Sequence, residues 1–369
     1  MTARPWKRLD GIDLLRGVAI FLVLMNHVNM RLAIAKVPYT HGLPKQLVLT
    51  SFWSGQFGVQ IFFAVSGFLI TSTTLRRWGT LSKVDIRGFY RLRFARIAPL
   101  LLALLAILSA MHFAQVKDFV VKPKTGGLGR ALLAALTFHV NLLEATRGYL
   151  PATWDILWSL SVEETFYLFF SLLCRILGGG RWLIGLLLAF VVMGPFARTL
   201  AWNDVWQEYS YLGGMDAIAL GCLTAILTPR LRLSATALRL CGAFGSVMVI
   251  FSICFTLQAR QLGLGRTGLE MSVIAFGTCL IMVTASKTEW RASGFLAPLL
   301  TLGRSSYEVY LTHMFVVFAF FDLFVAAGRP MAAVPGLFGI VILVAGVLGY
   351  LVARYYSEPA NTRLRCTLS

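Results

Sequence analysis

Hydrophobic and polar positions follow one another along this chain in long blocks, without the short period of a half-buried helix or strand. Apolar runs fall near 14–34, 57–75, 97–116, 131–145, 158–177, 182–198, 211–227, 240–257, 269–286, 306–326 and 333–353. All but the fourth approach the roughly 20 residues an α-helix needs to cross about 30 Å of hydrocarbon. The segments between them are rich in Gly, Pro and Arg, as loops at a membrane boundary are. No polar block is large enough for a separate soluble domain. The pattern predicts an all-α polytopic integral membrane protein, with residues 1–369 as a single transmembrane domain. The first run, Leu14 to Ile34, lacks a small-residue cleavage site and contains Arg16 and His27, so it reads as a retained helix and not as a signal peptide.

The run at 131–145 is short and interrupted by His139, Asn141 and Glu144. Whether it crosses is decided by the excess of Lys and Arg expected in cytoplasmic loops. If it does not cross, twenty-one basic residues lie in cytoplasmic segments and twelve outside. If it does, the basic loop Arg230–Arg239 and the C-terminal tail both move outside. The expectation is therefore ten spans with both termini cytoplasmic, a re-entrant or interfacial segment at 131–145, and a short cytoplasmic tail over 354–369.

Composition agrees. At 57% hydrophobic and 14% charged residues, with mean hydropathy +0.74, the chain departs from a soluble domain, which carries about a quarter charged residues. A net charge of +18 would suggest nucleic acid in a soluble protein, but no basic stripe with interleaved aromatics is present. Membrane orientation accounts for the charge, and contact with membrane lipids but no nucleic acid is expected. Five of the six cysteines fall in or beside apolar runs without metal-ligand or CxxC spacing, and read as packing residues.

Ionisable groups inside spans are costly and point to function by default. Arg16 and His27 are eleven residues apart, which places them on one helix face about 16 Å apart along the axis. A lone intramembrane histidine can be a packing residue held by an interhelical hydrogen bond. It can also be a general base, since imidazole titrates near neutrality. After the second run comes RRWGTLSKVDIRGFYRLRFARIAP, seven basic residues against Asp85. Some of these charges anchor the chain at anionic headgroups. Arg93 and Arg96, at i and i+3, share a face just before Pro99 and suit bidentate binding of a phosphate-rich ligand. Two further clusters sit where runs begin: WSLSVEETFYL, in which Glu163 and Tyr167 share a face, and SSYEVYLTH, in which Ser306, Tyr310 and His313 do. Either could also be an interfacial aromatic belt with polar helix-start residues.

Seven strings carry a resemblance: LDGIDLLRGVAIFLVLMNH, IFFAVSGFLIT, FYRLRFARIAP, WSLSVEETFYLFF, YLGGMDAIALG, SSYEVYLTH and YSEP. In this order, from Leu9 to about Pro359, the chain resembles the membrane acyltransferase-3 family. The resemblance implies transfer of an acyl group, acetyl first among candidates, from acyl-coenzyme A to a hydroxyl of a sugar, glycan or glycolipid, with no metal. The implied partners are acyl-coenzyme A and a carbohydrate or lipid-linked glycan, in a bacterial cytoplasmic (inner) membrane. Position by position, His27 matches the family's catalytic histidine and Arg16 its companion arginine, while Glu163 and Glu164 match the acidic pair, one of which is expected to share the catalysis by holding the His27 imidazole and fixing its tautomer. Arg93 and Arg96 match the pair associated with acyl-coenzyme A. Ser66, Gly67 and Phe68 match the SGF segment, Tyr310 and His313 fall in the YLxH motif, and Glu358 is the glutamate before proline. Thr165 stands where glutamine is usual and Met314 where an aromatic often follows; the soluble hydrolase-like C-terminal domain of some members is not expected here. The rival reading is a membrane transporter, against which stand the lack of an internal repeat and the position of the arginine pair beside the membrane.

Overall fold

The computed structural model describes residues 9–288 and 290–367, and among these it is helical with no strand. From the N-terminus, α1 (Asp10–Ile34), the short α2 (Lys45–Phe52), α3 (Gly55–Trp78) and α4 (Ile86–Phe113) lead to α5 (Gly127–Leu136) and α6 (Val140–Arg147). Next come α7 (Ala152–Asp155) with α8 (Leu157–Leu177), α9 (Arg181–Thr199), α10 (Asp204–Tyr209) with α11 (Tyr211–Leu227), α12 (Ala235–Cys254) and α13 (Thr256–Gln261). The chain ends through α14 (Leu269–Thr288), α15 (Ala297–Arg304), α16 (Ser306–Ala326), α17 (Val334–Val352), a π-helical turn at Ala353–Ser357 and α18 (Glu358–Thr367). Among the described residues, ten segments are long and apolar enough to cross a membrane, and they coincide with the ten runs expected to do so.

The run at 131–145 is divided between α5 and α6, whose ten and eight residues reach only about 15 and 12 Å. The break falls at Phe138, which adopts a φ of 57°. Backbone freed at membrane depth must find partners in the protein. Here the Phe138 carbonyl accepts hydrogen bonds from Tyr211 Oη at 2.7 Å and Thr165 Oγ1 at 3.4 Å. Two of the three residues that interrupt the run face inward: Asn141 donates to the Tyr209 carbonyl at 3.0 Å, and Glu144 Oε1 accepts from the Leu150 amide at 3.0 Å.

Two segments read as polar connections are helical. α4 starts eleven residues before its apolar run because Asp85, the lone acid of the basic stretch, caps it by accepting from the Arg87 and Gly88 amides at 3.1 and 3.0 Å. Arg93 and Arg96 therefore project from a rigid helix, and Pro99 lies inside it instead of marking a junction. At the other end, the expected tail at 354–369 continues the tenth span through the π-helical turn, and α18 packs on α4. The N-terminal Arg4, Lys7 and Arg8 of the charge count lie outside the described residues.

Glycines set which helices touch. A Cβ on Gly67 would collide with the Ile218 carbonyl, and one on Gly221 with the Ala64 carbonyl, so α3 and α11 meet backbone to backbone. Gly17 and Gly303 do the same for α1 and α15, against the carbonyls of Leu299 and Asp13. Small residues at an interface allow this close packing where lipid offers no hydrophobic drive for association. Part of two strings of the resemblance, SGF and MDAIALG, is thus the two sides of one helix contact. α8, α11 and α3 form the buried centre, while α9, α12 and α17 stand at the lipid-facing rim. Cys174, Cys222 and Cys279 are buried in the bundle as expected.

Candidate active site

The α3–α11 contact turns Ser66, the residue before Gly67, toward α8. A cavity of about 460 Å³ opens there, walled by α1, α3, α4, α8, α16 and α18. One end, the basic end, is where α1, α4 and α16 start and α3 and α8 finish. Arg16 from α1 lies on the wall and donates from Nε to Ser306 Oγ at 3.1 Å.

The acidic pair of the WSLSVEE string is divided by helical geometry into two tasks. Glu163 Oε1 accepts hydrogen bonds from Tyr167 Oη at 2.6 Å and from Ser66 Oγ, and the two hydroxyls also touch each other. Glu164, turned toward α4, pairs with Arg93 at 3.1 Å, and the Arg93 guanidinium lies 3.8 Å over the Tyr167 ring. Arg96, one turn on, has no acid partner among the described residues and faces the Tyr307 ring at 5.8 Å. The two arginines of this pair are thus not equivalent: Arg93 is neutralised by Glu164, whereas Arg96 lines the cavity beside Tyr307 without a salt bridge.

The cavity ends at Phe62, Ser159 and Tyr310. Tyr310 is fully engaged, donating to the Ile156 carbonyl at 3.0 Å and sharing a 2.7 Å hydrogen bond with Ser159 Oγ. One turn beyond it, His313 is wholly buried, and its Nδ1 lies 2.7 Å from the Tyr310 carbonyl. His27 from α1 packs edge-on against it, ring centroids 4.8 Å apart, with its own Nδ1 2.9 Å from the Val23 carbonyl and 3.3 Å from His313 Nε2. A carbonyl can only accept, so both rings carry hydrogen on Nδ1. His313 Nε2 then accepts from His27, and the lone pair left without a partner is that of His27 Nε2. Neither Glu163 nor Glu164 is hydrogen-bonded to His27; backbone carbonyls fix its tautomer instead. Arg16–Ser306 and His27–His313 form two rungs tying α1 to α16.

Phe68 and Met314 are core residues, Thr165 braces the α5–α6 break, and Glu358 is exposed on the cavity wall at the start of α18. Several wall residues had no role in the sequence reading. Arg77 and Arg365 were counted only as topology charges, yet both line the cavity. Arg304 also lines it, and is held by Asp13 at 3.2 Å and Asp10 at 3.4 Å, the acids of the LDGIDLLRG string. Arg198, counted as an outer loop charge, is a buried ion pair. It binds both carboxylate oxygens of Asp216, at 3.1 and 2.8 Å, and Ser272 Oγ at 2.8 Å. This unit fastens α9, α11 and α14.

At the opposite end of the bundle, Glu144 and Asp155 lie side by side under the Tyr209 hydroxyl, which is 3.2 Å from Asp155 Oδ1. Burial first, and the Asp155 carboxylate second, push the Glu144 carboxyl well above the usual carboxylate range. Its Oε2 meets no other donor, so a proton held on Glu144 completes the contact with Asp155.

A cavity among apolar spans that carries arginines, acids and hydroxyls, with a histidine pair packed behind its Tyr310 wall, is the equipment of a polytopic membrane enzyme. The chain belongs to the acyltransferase-3 family, whose model, described as an acyltransferase domain, matches residues 9–354. Among curated proteins it is similar to O-acetyltransferase OatA of Staphylococcus aureus (strain NCTC 8325 / PS 47), 23% identical over 392 residues that cover 98% of this chain and 60% of that protein. It is also similar to peptidoglycan O-acetyltransferase OatA of Listeria monocytogenes, 25% identical over 325 residues, covering 83% of this chain and 49% of the relative. The chain thus spans 60% or less of the length of these relatives. No solved structure matches it.

Proposed function

We propose that the chain moves an acyl group, acetyl first, from acyl-coenzyme A to a hydroxyl of a sugar or lipid-linked glycan. We place it in a bacterial cytoplasmic membrane with the basic end and both termini inside. The two relatives described as O-acetyltransferases, one of them acting on peptidoglycan, support the acetyl group and the glycan acceptor. The observation that carries the reading is one cavity lined by guanidiniums and by Tyr310, with the His27–His313 pair packed behind that tyrosine. An anionic cosubstrate entering among the arginines would extend its thioester toward Tyr310, and an acceptor hydroxyl would meet it from the His27 side.

His27 acts as general base. As the acceptor oxygen bonds to the thioester carbon, its proton passes to His27 Nε2; the carbon–sulfur bond then breaks, and the leaving thiolate takes the proton back from the imidazolium. The Val23 carbonyl holds the Nδ1 hydrogen in place throughout and keeps Nε2 aimed at the hydroxyl. Glu163 and Ser66, joined by Tyr167, position the acyl-bearing arm along the wall.

The test is reconstitution of the purified chain in liposomes with acetyl-coenzyme A and glycan fragments, following free thiol and product mass, beside mass spectra of cell glycans with and without the protein. Thiol release that requires acceptor, with one acetyl gained per acceptor, is the expected result. Absence of acceptor-dependent thiol release together with unchanged cell glycans would overturn the reading.

A further inference from the structure

The mouth of the cavity holds more positive charge than the Arg93–Arg96 pair accounts for. Six arginines line the cavity: Arg16, Arg77, Arg93, Arg96, Arg304 and Arg365. Arg93 is neutralised by Glu164 and Arg304 by Asp10 and Asp13, while Arg16 donates inward to Ser306. Arg77, Arg96 and Arg365 form no ion pair with any described residue. They come from three separate helices: the end of α3, the end of the polar part of α4, and the last turn of α18. Arg365 lies within electrostatic reach of both others, and its Nε is steadied by Asn361 Oδ1 at 2.8 Å. Arg77 is braced by the Trp78 ring, 5.6 Å from its guanidinium. The acids on this stretch of wall are Glu358 and Glu308, the latter within electrostatic reach of Arg96 though not in a salt bridge with it.

Resting on the acyl-coenzyme A reading, we propose that these three arginines are the seat of the donor's nucleotide, with α18 as one wall of that seat. Arg77 and Arg365 clasp the 3′-phosphate, and Arg96 holds the diphosphate. Three like charges held around one cavity repel each other in the empty protein, Glu308 and Glu358 offset that repulsion without forming a salt bridge to any of them, and a polyanion would relieve it for all three at once. A row of arginines meant only for lipid headgroups would point outward from the bundle; these converge on enclosed space. The order follows from depth. Arg96 is half-buried beside Tyr307 and nearer the reaction centre, whereas Arg77 and Arg365 are exposed at the rim. Along coenzyme A the diphosphate lies between the thiol-bearing arm and the 3′-phosphorylated ribose, so the deeper arginine meets the diphosphate. The π-helical turn at Ala353–Ser357 joins α17 to α18, which lies on α4 with Arg365 lining the cavity. A phosphate of the same chemistry is also offered by anionic lipid headgroups, and the experiment separates the two.

Calorimetry would compare coenzyme A with 3′-dephospho-coenzyme A on the intact chain in nanodiscs of zwitterionic lipid and of anionic lipid. Wild type should prefer coenzyme A at least tenfold in both. Arg365→Gln and Arg77→Gln, both exposed positions whose change leaves the fold intact, should each lower coenzyme A affinity about tenfold and leave dephospho-coenzyme A affinity unchanged. Arg96→Gln should weaken both ligands alike. If wild type binds both ligands equally, or if Arg365→Gln and Arg77→Gln keep the full preference, the assignment is overturned while the donor reading stands. A preference that vanishes in anionic lipid gives the seat to headgroups and overturns it too. If coenzyme A does not bind at all, the donor reading falls together with the assignment.

Discussion

Replacing the two histidines separately should split their roles, because the structure gives them different bonds to lose. His27→Ala removes the imidazole whose Nε2 is free, and loss of a positioned general base lowers turnover by about 10²–10⁴-fold. His313→Gln removes the ring behind it. The contact at risk is one neutral hydrogen bond of 3.3 Å from His27 Nδ1. A bond of that kind contributes about 0.5–1.5 kcal/mol, or roughly 2- to 13-fold in rate. His27 Nδ1 keeps its 2.9 Å bond to Val23 in the variant, and the glutamine carbonyl can still accept from it, so the loss should lie at the low end. Glutamine is chosen over alanine because His313 is fully buried and truncation would leave a void. The assay is acetyl-coenzyme A turnover in liposomes, with kcat and KM measured from pH 5 to 9 and folding checked by gel filtration. His27→Ala should lower kcat across this range with KM for the donor little changed. A His313→Gln variant that loses more than a hundredfold, beside a folded His27→Ala variant of near wild-type rate, would refute the reasoning and move the base to His313.

Other consequences can be measured independently. Arg198→Met leaves the fully buried Asp216 carboxylate without its cation, and should destabilise the bundle by about 3–5 kcal/mol; a melting temperature in detergent equal to wild type would contradict the clamp, and the added change Asp216→Leu should restore part of the loss. Glu144 has its carboxyl pKa raised in the folded protein, so the folded state binds more protons than the unfolded one above the ordinary carboxylate range, and stability falls as pH rises through that range. Glu144→Gln removes this cost: the variant should be more stable than wild type at pH 8 and equal to it below about pH 4, the unperturbed carboxylate range, and a difference independent of pH would remove the shared proton. Single cysteines in the Arg230–Arg239 loop should resist impermeant reagents in intact cells, and labelling there would reverse the orientation inferred from the excess of basic residues.

The spans are legible because a stretch of apolar residues of membrane length has few alternatives, and the run at 131–145 stands apart by its shortness and its polar interruptions, which the break at Phe138 matches. Polar helix was harder to see. The Arg-rich start of α4 and all of α18 lack apolar periodicity, and only the Asp85 cap in the first case marked a helix start. Residue types were found more readily than their division of labour. Glu163 and Glu164 are adjacent in sequence but about 100° apart on a helix, which sends one to Ser66 and Tyr167 and the other to Arg93. Arg77, Arg198 and Arg365 entered a tally of charges because sequence cannot tell an arginine facing headgroups from one facing a cavity, or from one buried against an aspartate eighteen positions away.

The tyrosine wall between the cavity and the histidine pair gives the proposed reaction an electrical character. If the donor arrives on one side of Tyr310 and the hydroxyl on the other, each turnover carries an acyl group, formally an acylium, across that plane in one direction. The hydroxyl proton, relayed by His27 to the departing thiolate, crosses it in the other. The two displacements cancel. Membrane voltage, which does about 2.3 kcal/mol of work per elementary charge per 100 mV, therefore does no net work on the exchange. Such an enzyme would run at the same equilibrium in energised and de-energised cells, its direction set by the thioester alone.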